Sequence, residues 1–370
     1  MRKLVTVRKV DAINPIPDAD KIEVATVGGW KVVINKGALN VGDLAAFFEI
    51  DSFLPNWPEF QFLGKPTTFN GQEGFRLRTV KLRKQISQGL LLPLSDFAQF
   101  DNIKFEEGQD ITDYLEVVKW ERPAARQPNN QQAKGTFPYF IQKTDEERVQ
   151  NIPMSELEKY KSDWFVETVK LDGSSMTVFV HSKEEVLEVK DGFELTQQFP
   201  YTGVCSRNQE LKEIEGNSFW DTAKKYGITE RLITFFNKHE RCIAIQGELY
   251  GEGIQNNPWK ISGKKFAVFN IWSIDDQRYL SPSEVVDIIE ELNLYKVEAE
   301  PLQHVPVVRE GILGEMFELT HEAILARADE IYDMIAGRPT EGFVYKLDSR
   351  TVPYYSFKAI SNKYLLKNGD

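Results

Sequence analysis

Cysteine is scarce: Cys205 and Cys242 are the only two thiols in 370 residues, and neither sits in a metal-ligand spacing. A disulfide framework and a structural zinc site are therefore not expected, and the chain fits a reducing, intracellular compartment. No apolar run reaches the roughly 18 residues that a membrane span needs, so no membrane partner is expected. The opening Met1-Arg2-Lys3-Leu4-Val5-Thr6-Val7 reads as a strand and lacks the apolar core of a signal peptide. Positive charge is also in deficit. A net charge of −11 argues against a protein that coats nucleic acid, because phosphate contacts need Lys and Arg. An enzyme that gathers its cations on one surface remains allowed.

The length suits two domains, each with a core of its own, and 41% hydrophobic with 27% charged residues is ordinary for a globular chain. Residues 1–100 read as short strands at 4–10, 21–27, 30–34, 43–49, 75–82 and 89–92, with Gly28-Gly29 as a hairpin signal. Five or six strands in a hundred residues point to a small all-β barrel of the OB-fold type. The 75–82 strand and its extension place five cations, Arg76, Arg78, Lys81, Arg83 and Lys84, within nine residues. With a side-chain period of two, Arg76 and Arg78 share one face and Lys81 and Arg83 the other. Two readings stay open: a solvated edge strand that repels aggregation, or a face that tracks phosphates.

Periodicity fades over 101–142, which includes a polar Pro/Asn/Gln stretch at 123–135 and reads as a linker or irregular connection. Thr144-Asp145-Glu146-Glu147 has the form of a capping box and predicts a helix running into Arg148 and Val149. The second domain, 143–370, reads as α+β. Its mostly antiparallel strands lie near 163–169, 176–180, 241–249, 265–271, 343–347 and 354–359, with helices near 218–226, 229–237, 283–292 and 320–335.

The sharpest local feature is Glu167-Thr168-Val169-Lys170-Leu171-Asp172-Gly173-Ser174-Ser175, where a strand ends in a lysine and a tight turn follows. Alone it reads as a hairpin turn beside an exposed lysine. Other polar clusters accompany it: Cys205-Ser206-Arg207-Asn208; Gln246-Gly247-Glu248-Leu249-Tyr250-Gly251-Glu252-Gly253-Ile254-Gln255; Phe266 to Ile271 around Phe269; Glu341-Gly342-Phe343-Val344-Tyr345-Lys346; and Ser356-Phe357-Lys358. Singly, Glu248 and Glu341 are strand-end carboxylates, Phe269 is core, and Lys346 and Lys358 are solvated lysines.

In this order and spacing the set resembles the motif series of the covalent nucleotidyltransferases, over nearly all of 143–370. Within them it is most similar to the ATP-dependent RNA ligases. Gly247-Glu248-Leu249 with Gly251, Gly253-Ile254-Gln255 and Asn257 resembles their Gly-Glu-Leu-x-Gly-Pro-Gly-Ile-Gln-x-Asn motif, with Glu252 in place of the proline. The OB-like module ahead of the motifs, with only 12 residues after Lys358, resembles the Deinococcus-type nick-sealing branch. The resemblance implies an α+β nucleotidyltransferase domain preceded by an OB-fold barrel.

It further implies a Lys170 nucleophile that takes AMP from ATP with Mg2+ or Mn2+. Asp172, Glu248 and Glu341 would serve the metal directly or through water, and Glu248 and Asp172 would also approach the nucleotide. Arg207 matches the nucleotide-contacting arginine, Phe269 the adenine platform, and Lys346 and Lys358 the α-phosphate lysines, while Glu167 and the backbone at Val169 would read the adenine edge. Many relatives end in Lys-x-Lys; here the second position is Ile360, so either Lys346 and Lys358 suffice or Lys363 reaches in. Arg148 and Gln150 resemble a segment just before the core that helps bind phosphate or RNA. The implied partner is RNA in a nicked duplex with a 3′-hydroxyl, with Arg76, Arg78, Lys81, Arg83 and Arg148 as the gripping cations and a monomer as the acting unit. A capping guanylyltransferase, a DNA ligase and an inactive RNA-binding relative are the alternatives.

Overall fold

The computed structural model describes residues 3–100, 103–121, 132–190, 193–255, 257, 259–330 and 340–368, with backbone alone at 185–190, 193–197 and 368. Most of the 123–135 stretch and the end of the 320–335 helix therefore lie outside the described residues. No described helix is long and apolar enough to cross a membrane.

The first module is all β. Val5–Lys9 and Leu90–Pro93 flank Leu44–Phe48 in one antiparallel sheet, while Ala12–Pro15, Ile22–Val27 and Trp30–Asn35 form a meander. Alternation sets the inward face, as in Trp30, Val32 and Ile34, which are buried while Lys31 and Val33 are only partly covered. Residues assigned by sequence to the connection extend this module: Ile111, Leu115 and Val117 enter its core, and Val118–Lys119 pairs with Ser52–Phe53.

The basic run is not one strand. Gln72–Arg76 belongs to the sheet with Ser52–Pro55, whereas Thr79–Leu82 forms a separate two-stranded ribbon with Gln85–Gln88. Arg83 and Lys84 are its two turn residues, both left-handed at φ 47° and 68°, as a tight hairpin turn requires. Arg76 is stacked 3.2 Å over the Trp120 ring and only partly exposed, while Arg78, Lys81 and Arg83 are exposed. The expected two-faced basic strand is thus replaced by exposed Arg78 ahead of the ribbon, exposed Lys81 and Arg83 toward its tip, and one arginine held on a tryptophan.

The second module holds two sheets. A seven-stranded antiparallel sheet contains Ser174–Lys190, Ile243–Gly251 and Lys264–Ser273 at its centre. A five-stranded sheet has the order Glu147–Arg148, Ser356–Ile360, Gly342–Leu347, Trp164–Lys170, Val307–Ile312. The helix expected from Thr144 is absent: Glu147–Arg148 pairs in parallel with Phe357–Lys358, and a 3-10 turn, Val149–Asn151, follows. Tertiary pairing overrides the local capping pattern there.

The two modules share a core. Ile360, Tyr364 and Leu365 from the carboxyl-terminal end join the cluster of Val10, Val27, Trp30, Val32 and Phe47. Asn151 ties them further: its Oδ1 accepts from Trp30 Nε1 at 2.7 Å and its Nδ2 donates to Glu49 Oε1 at 2.5 Å.

Candidate active site

The two sheets of the second module meet at Lys170. The strand Trp164–Lys170 ends there, Leu171 to Gly173 turn the chain, and Ser174 opens the strand of the other sheet. Gly173 is required by close approach, since a Cβ would come 2.4 Å from the Leu249 carbonyl oxygen and 3.0 Å from Glu248 Cγ. Gln255 Nε2 donates to the Gly173 carbonyl at 3.2 Å and so ties the Gly-Ile-Gln loop to this turn.

Pairing decides which residues share a face. Lys170 lies opposite Gly342, which lies opposite Ile360; Thr168 lies opposite Val344, which lies opposite Lys358; and Val166 lies opposite Lys346. Directly opposed residues point the same way, so Lys170, Lys346 and Lys358 project from one face. That face forms part of a cavity of about 270 Å³ that Phe269, Arg148, Arg207, Glu248 and Glu341 also line. An adjoining groove of about 940 Å³ shares Lys170, Arg207, Glu248 and Glu341 and continues past Asp172, Trp120, Phe219 and Tyr364. Asp51 of the first module borders both.

Three carboxylates surround one ammonium. Lys170 Nζ pairs with Glu341 Oε1 at 2.7 Å, with Glu248 and Asp172 adding to the negative field. Burial pulls the Lys170 amine down, but Glu341, Glu248 and Asp172 together outweigh it and hold the amine protonated beyond the usual lysine range. Burial pushes Glu248 up to about 8 against the pull of Lys170, and it likewise raises Glu341. Among the described residues no three His, Cys, Asp or Glu groups converge into a cage that would hold a metal unaided. The three clustered carboxylates nevertheless offer hard oxygens that fit a divalent cation keeping part of its water shell.

Cations line the same cavity. Lys346 is 3% exposed, and its Nζ donates to the Phe269 carbonyl and, at 2.7 Å, to Asn270 Oδ1. Burial lowers it to about 8. Phe269 is the extra residue of a β-bulge, since Gly247 pairs with Val268 and Gln246 with Asn270; the bulge leaves its ring partly exposed on the cavity wall. Lys358 Nζ lies 3.4 Å from Asp145 Oδ1, and Arg207 lies 3.8 Å from both Asp145 and Glu121.

A family model described as RNA ligase matches residues 163–364, and one described as an OB-fold domain matches residues 4–94. The chain belongs to the RNA ligase family. Among solved structures it is similar to a Naegleria gruberi RNA ligase with a lysine-to-alanine substitution, bound to ATP and Mn. There it is 39% identical, covers 98% of each chain and superposes with a TM-score of 0.83. An aspartate-to-alanine mutant of the same Naegleria enzyme, without ligand, is 39% identical, with 100% of this chain and 99% of that one covered and a TM-score of 0.84. No curated protein matches the sequence. The architecture of the ligase is accordingly an OB-fold domain followed by a nucleotidyltransferase domain.

The ligase places two expected residues elsewhere. Glu167 is three positions from Lys170 and so faces the opposite side of the strand, where it is fully buried, paired with Arg309 at 2.7 Å and Arg327 at 3.2 Å, and accepts from Tyr345 Oη at 2.9 Å. Its carboxylate is committed to that network and does not border the cavity. Lys363 donates to the Asp329 carbonyl at 2.8 Å, which removes it as the substitute second lysine. Val169 borders the cavity, but its amide donates to the Pro306 carbonyl at 2.9 Å. Arg148 is not on a helix surface; it is 6% exposed, pairs with Asp51 at 2.9 Å, and keeps Nε and Nη1 buried without a partner. Gln150 is 1% exposed beneath the first module, its backbone carbonyl accepting from the Gly29 amide.

Several contacts of the candidate site carried no signal in the sequence. Asp145 faces both Lys358 and Arg207, Asn270 holds Lys346, and Tyr364 Oη donates to Asp172 Oδ2 at 2.6 Å. Asn270 adjoins Phe269 and stands out as the polar residue within the apolar run 266–272; Asp51 and Tyr364 carry no local signal.

Proposed function

We propose that this RNA ligase is ATP-dependent and seals 3′-hydroxyl/5′-phosphate nicks in duplexed RNA through a lysyl-AMP intermediate on Lys170. The observation that carries the reading is the Lys170 amine at the border of the two cavities, paired with Glu341, in a lining that also holds Glu248, Lys346, Lys358, Arg148 and Arg207. Lys170 Nζ attacks the α-phosphorus of ATP; a P–N bond forms, the bond to the bridging oxygen breaks, and pyrophosphate and the amine proton leave. The adenylate then passes to the 5′-phosphate of the RNA, and the 3′-hydroxyl displaces AMP.

Each group has a stated task. Lys346, fixed by Phe269 and Asn270, and Lys358, oriented by Asp145, present charge toward the phosphate without reorganisation. Phe269 offers its ring as the purine platform. Arg148, locked by Asp51 of the OB-fold domain, lines the smaller cavity and adds a fixed positive charge to its wall. Glu341, Glu248 and Asp172 are the residues that would hold Mg2+ or Mn2+, which supplies positive charge that favours the neutral amine and the departing phosphate. The solved Naegleria relatives with ATP or AMP and Mn support this pairing of cofactors.

The exposed cations of the ribbon, Lys81 and Arg83, with Arg78 just ahead of it and Arg76 beside Trp120, are the surface we assign to the nicked duplex, and a monomer suffices to grip it. The amino-terminal OB-fold domain supports the Deinococcus-type branch, and two free, buried cysteines suit an intracellular site.

ATP labelled at the α- or the γ-phosphate tests the reading. Covalent label is expected from α only, with GTP a poor donor. Label from GTP and none from ATP would replace it with a capping guanylyltransferase, label with sealing of DNA nicks alone with a DNA ligase, and no label from either with an inactive binder.

A further inference from the structure

The carboxyl-terminal helix Asn362–Asn368 belongs to two sites at once. Its Leu365, 2% exposed, and the preceding Ile360 are built into the core of the first module among Val27, Trp30 and Phe47. One residue earlier, Tyr364 is 6% exposed, shares that core, and extends its hydroxyl to Asp172 Oδ2 at 2.6 Å. Asp172 sits in the turn that immediately follows Lys170. Ser361 starts the helix, its hydroxyl donating to Asp329 at 2.8 Å and accepting from the Tyr364 amide at 3.2 Å, so the helix is also anchored on the nucleotidyltransferase side.

We propose that Tyr364 is a positioning residue for the adenylylation step. Its hydroxyl fixes the Asp172 carboxylate, and because its helix is seated in the core of the first module, that seating holds the turn after Lys170 in its working shape. The OB-fold domain then acts on the chemistry of the first step as well as on the grip of RNA. Ile360, at the position where relatives carry a second lysine, is 2% exposed, packs into the apolar joint between the modules and also borders the smaller cavity.

The inference rests on the lysyl-AMP reading, and the experiment separates the two. Tyr364→Phe removes the hydroxyl and keeps the ring. In full-length protein we expect an unchanged melting temperature and an unchanged KM for ATP. Labelling of Lys170 at saturating ATP should slow about tenfold or more, the size of effect a small misplacement of reacting groups produces. Mn2+ binding, followed by electron paramagnetic resonance with a non-cleavable ATP analogue, should weaken severalfold. Leu365→Val loosens the seat while leaving the hydroxyl; it should slow labelling in the Tyr364 background and add nothing in Tyr364→Phe, a non-additive cycle. Wild-type labelling by a folded Tyr364→Phe protein, or strictly additive effects of the two changes, overturns the inference. A wild-type protein that takes no label at all overturns the lysyl-AMP reading itself.

Discussion

One strand of the nucleotidyltransferase domain carries two buried carboxylate environments on its two faces, and they are built in opposite ways. On the inner face a single carboxylate, Glu167, meets two arginines and a tyrosine hydroxyl. On the outer face a single ammonium, Lys170, meets three carboxylates, and one of them, Glu248, is driven up to about 8. Satisfied charge holds structure together, whereas charge left in surplus waits for a ligand to complete it. The surplus of carboxylates over the one ammonium at Lys170 therefore marks the candidate chemical face.

Substitution on each face breaks this comparison in a different observable. Lys170→Ala is expected to cut covalent adenylylation by roughly 10⁴-fold or more while leaving the melting curve nearly unchanged. Glu167→Ala should do the reverse. It strands Arg309 and Arg327 and costs roughly 3 kcal/mol in urea unfolding, at the low end for a broken buried pair because both arginines are partly exposed. The folded fraction should still label at the wild-type rate. Loss of labelling beyond the loss of folded protein would return Glu167 to the site.

Glu248→Gln sharpens the contrast. Labelling should slow about a hundredfold, as removal of one preorganised electrostatic group does. The carboxyl titrates near 8 folded against 4.5 in its ordinary state, so the folded protein binds more protons between those values and stability falls as pH rises across them. Calorimetric scans of the ligand-free protein should show that fall, and Glu248→Gln should flatten it; an unchanged slope would mean the carboxylate is already compensated. The smallest effects belong to the ribbon and to Arg78 just ahead of it. Arg78→Ala, Lys81→Ala or Arg83→Ala should each weaken nicked-duplex binding a few-fold and reduce the salt slope by about one, with self-adenylylation unaffected. Affinity indifferent to salt would remove the ribbon from the interface.

Much of the candidate face was legible because each residue lies at a strand end or turn with a recognisable neighbour: Lys170 before Asp172-Gly173, Glu248 after Gly247, Glu341 before Gly342. The misplacement of Glu167 was avoidable from the two-residue period alone, since an odd spacing from Lys170 sends it to the other face. The environment of Arg148 was not readable. Its partner Asp51 lies in the other domain, and its segment abandons a local helix signal to pair with Phe357–Lys358. The same holds for Tyr364, whose contact with Asp172 spans 192 positions and exists only once the two domains share a core. The basic run was legible as basic but not as two strands: the chain leaves the Ser52–Pro55 sheet after Leu77, whose backbone still bonds to Ser52 and Asp51, and nothing in Leu77-Arg78 signals a break before Thr79.

The two lysines of the cavity supply the most direct test. By acidity alone Lys346, lowered to about 8, is the readier nucleophile, yet its amine is enclosed and already donates to Phe269 and Asn270, while Lys170 stands open to both cavities beneath its carboxylates. Peptide mapping by mass spectrometry after incubation with ATP and Mn2+ locates the AMP. The account requires it on Lys170 in the wild type and nowhere in Lys170→Ala; AMP found on Lys346 would contradict it.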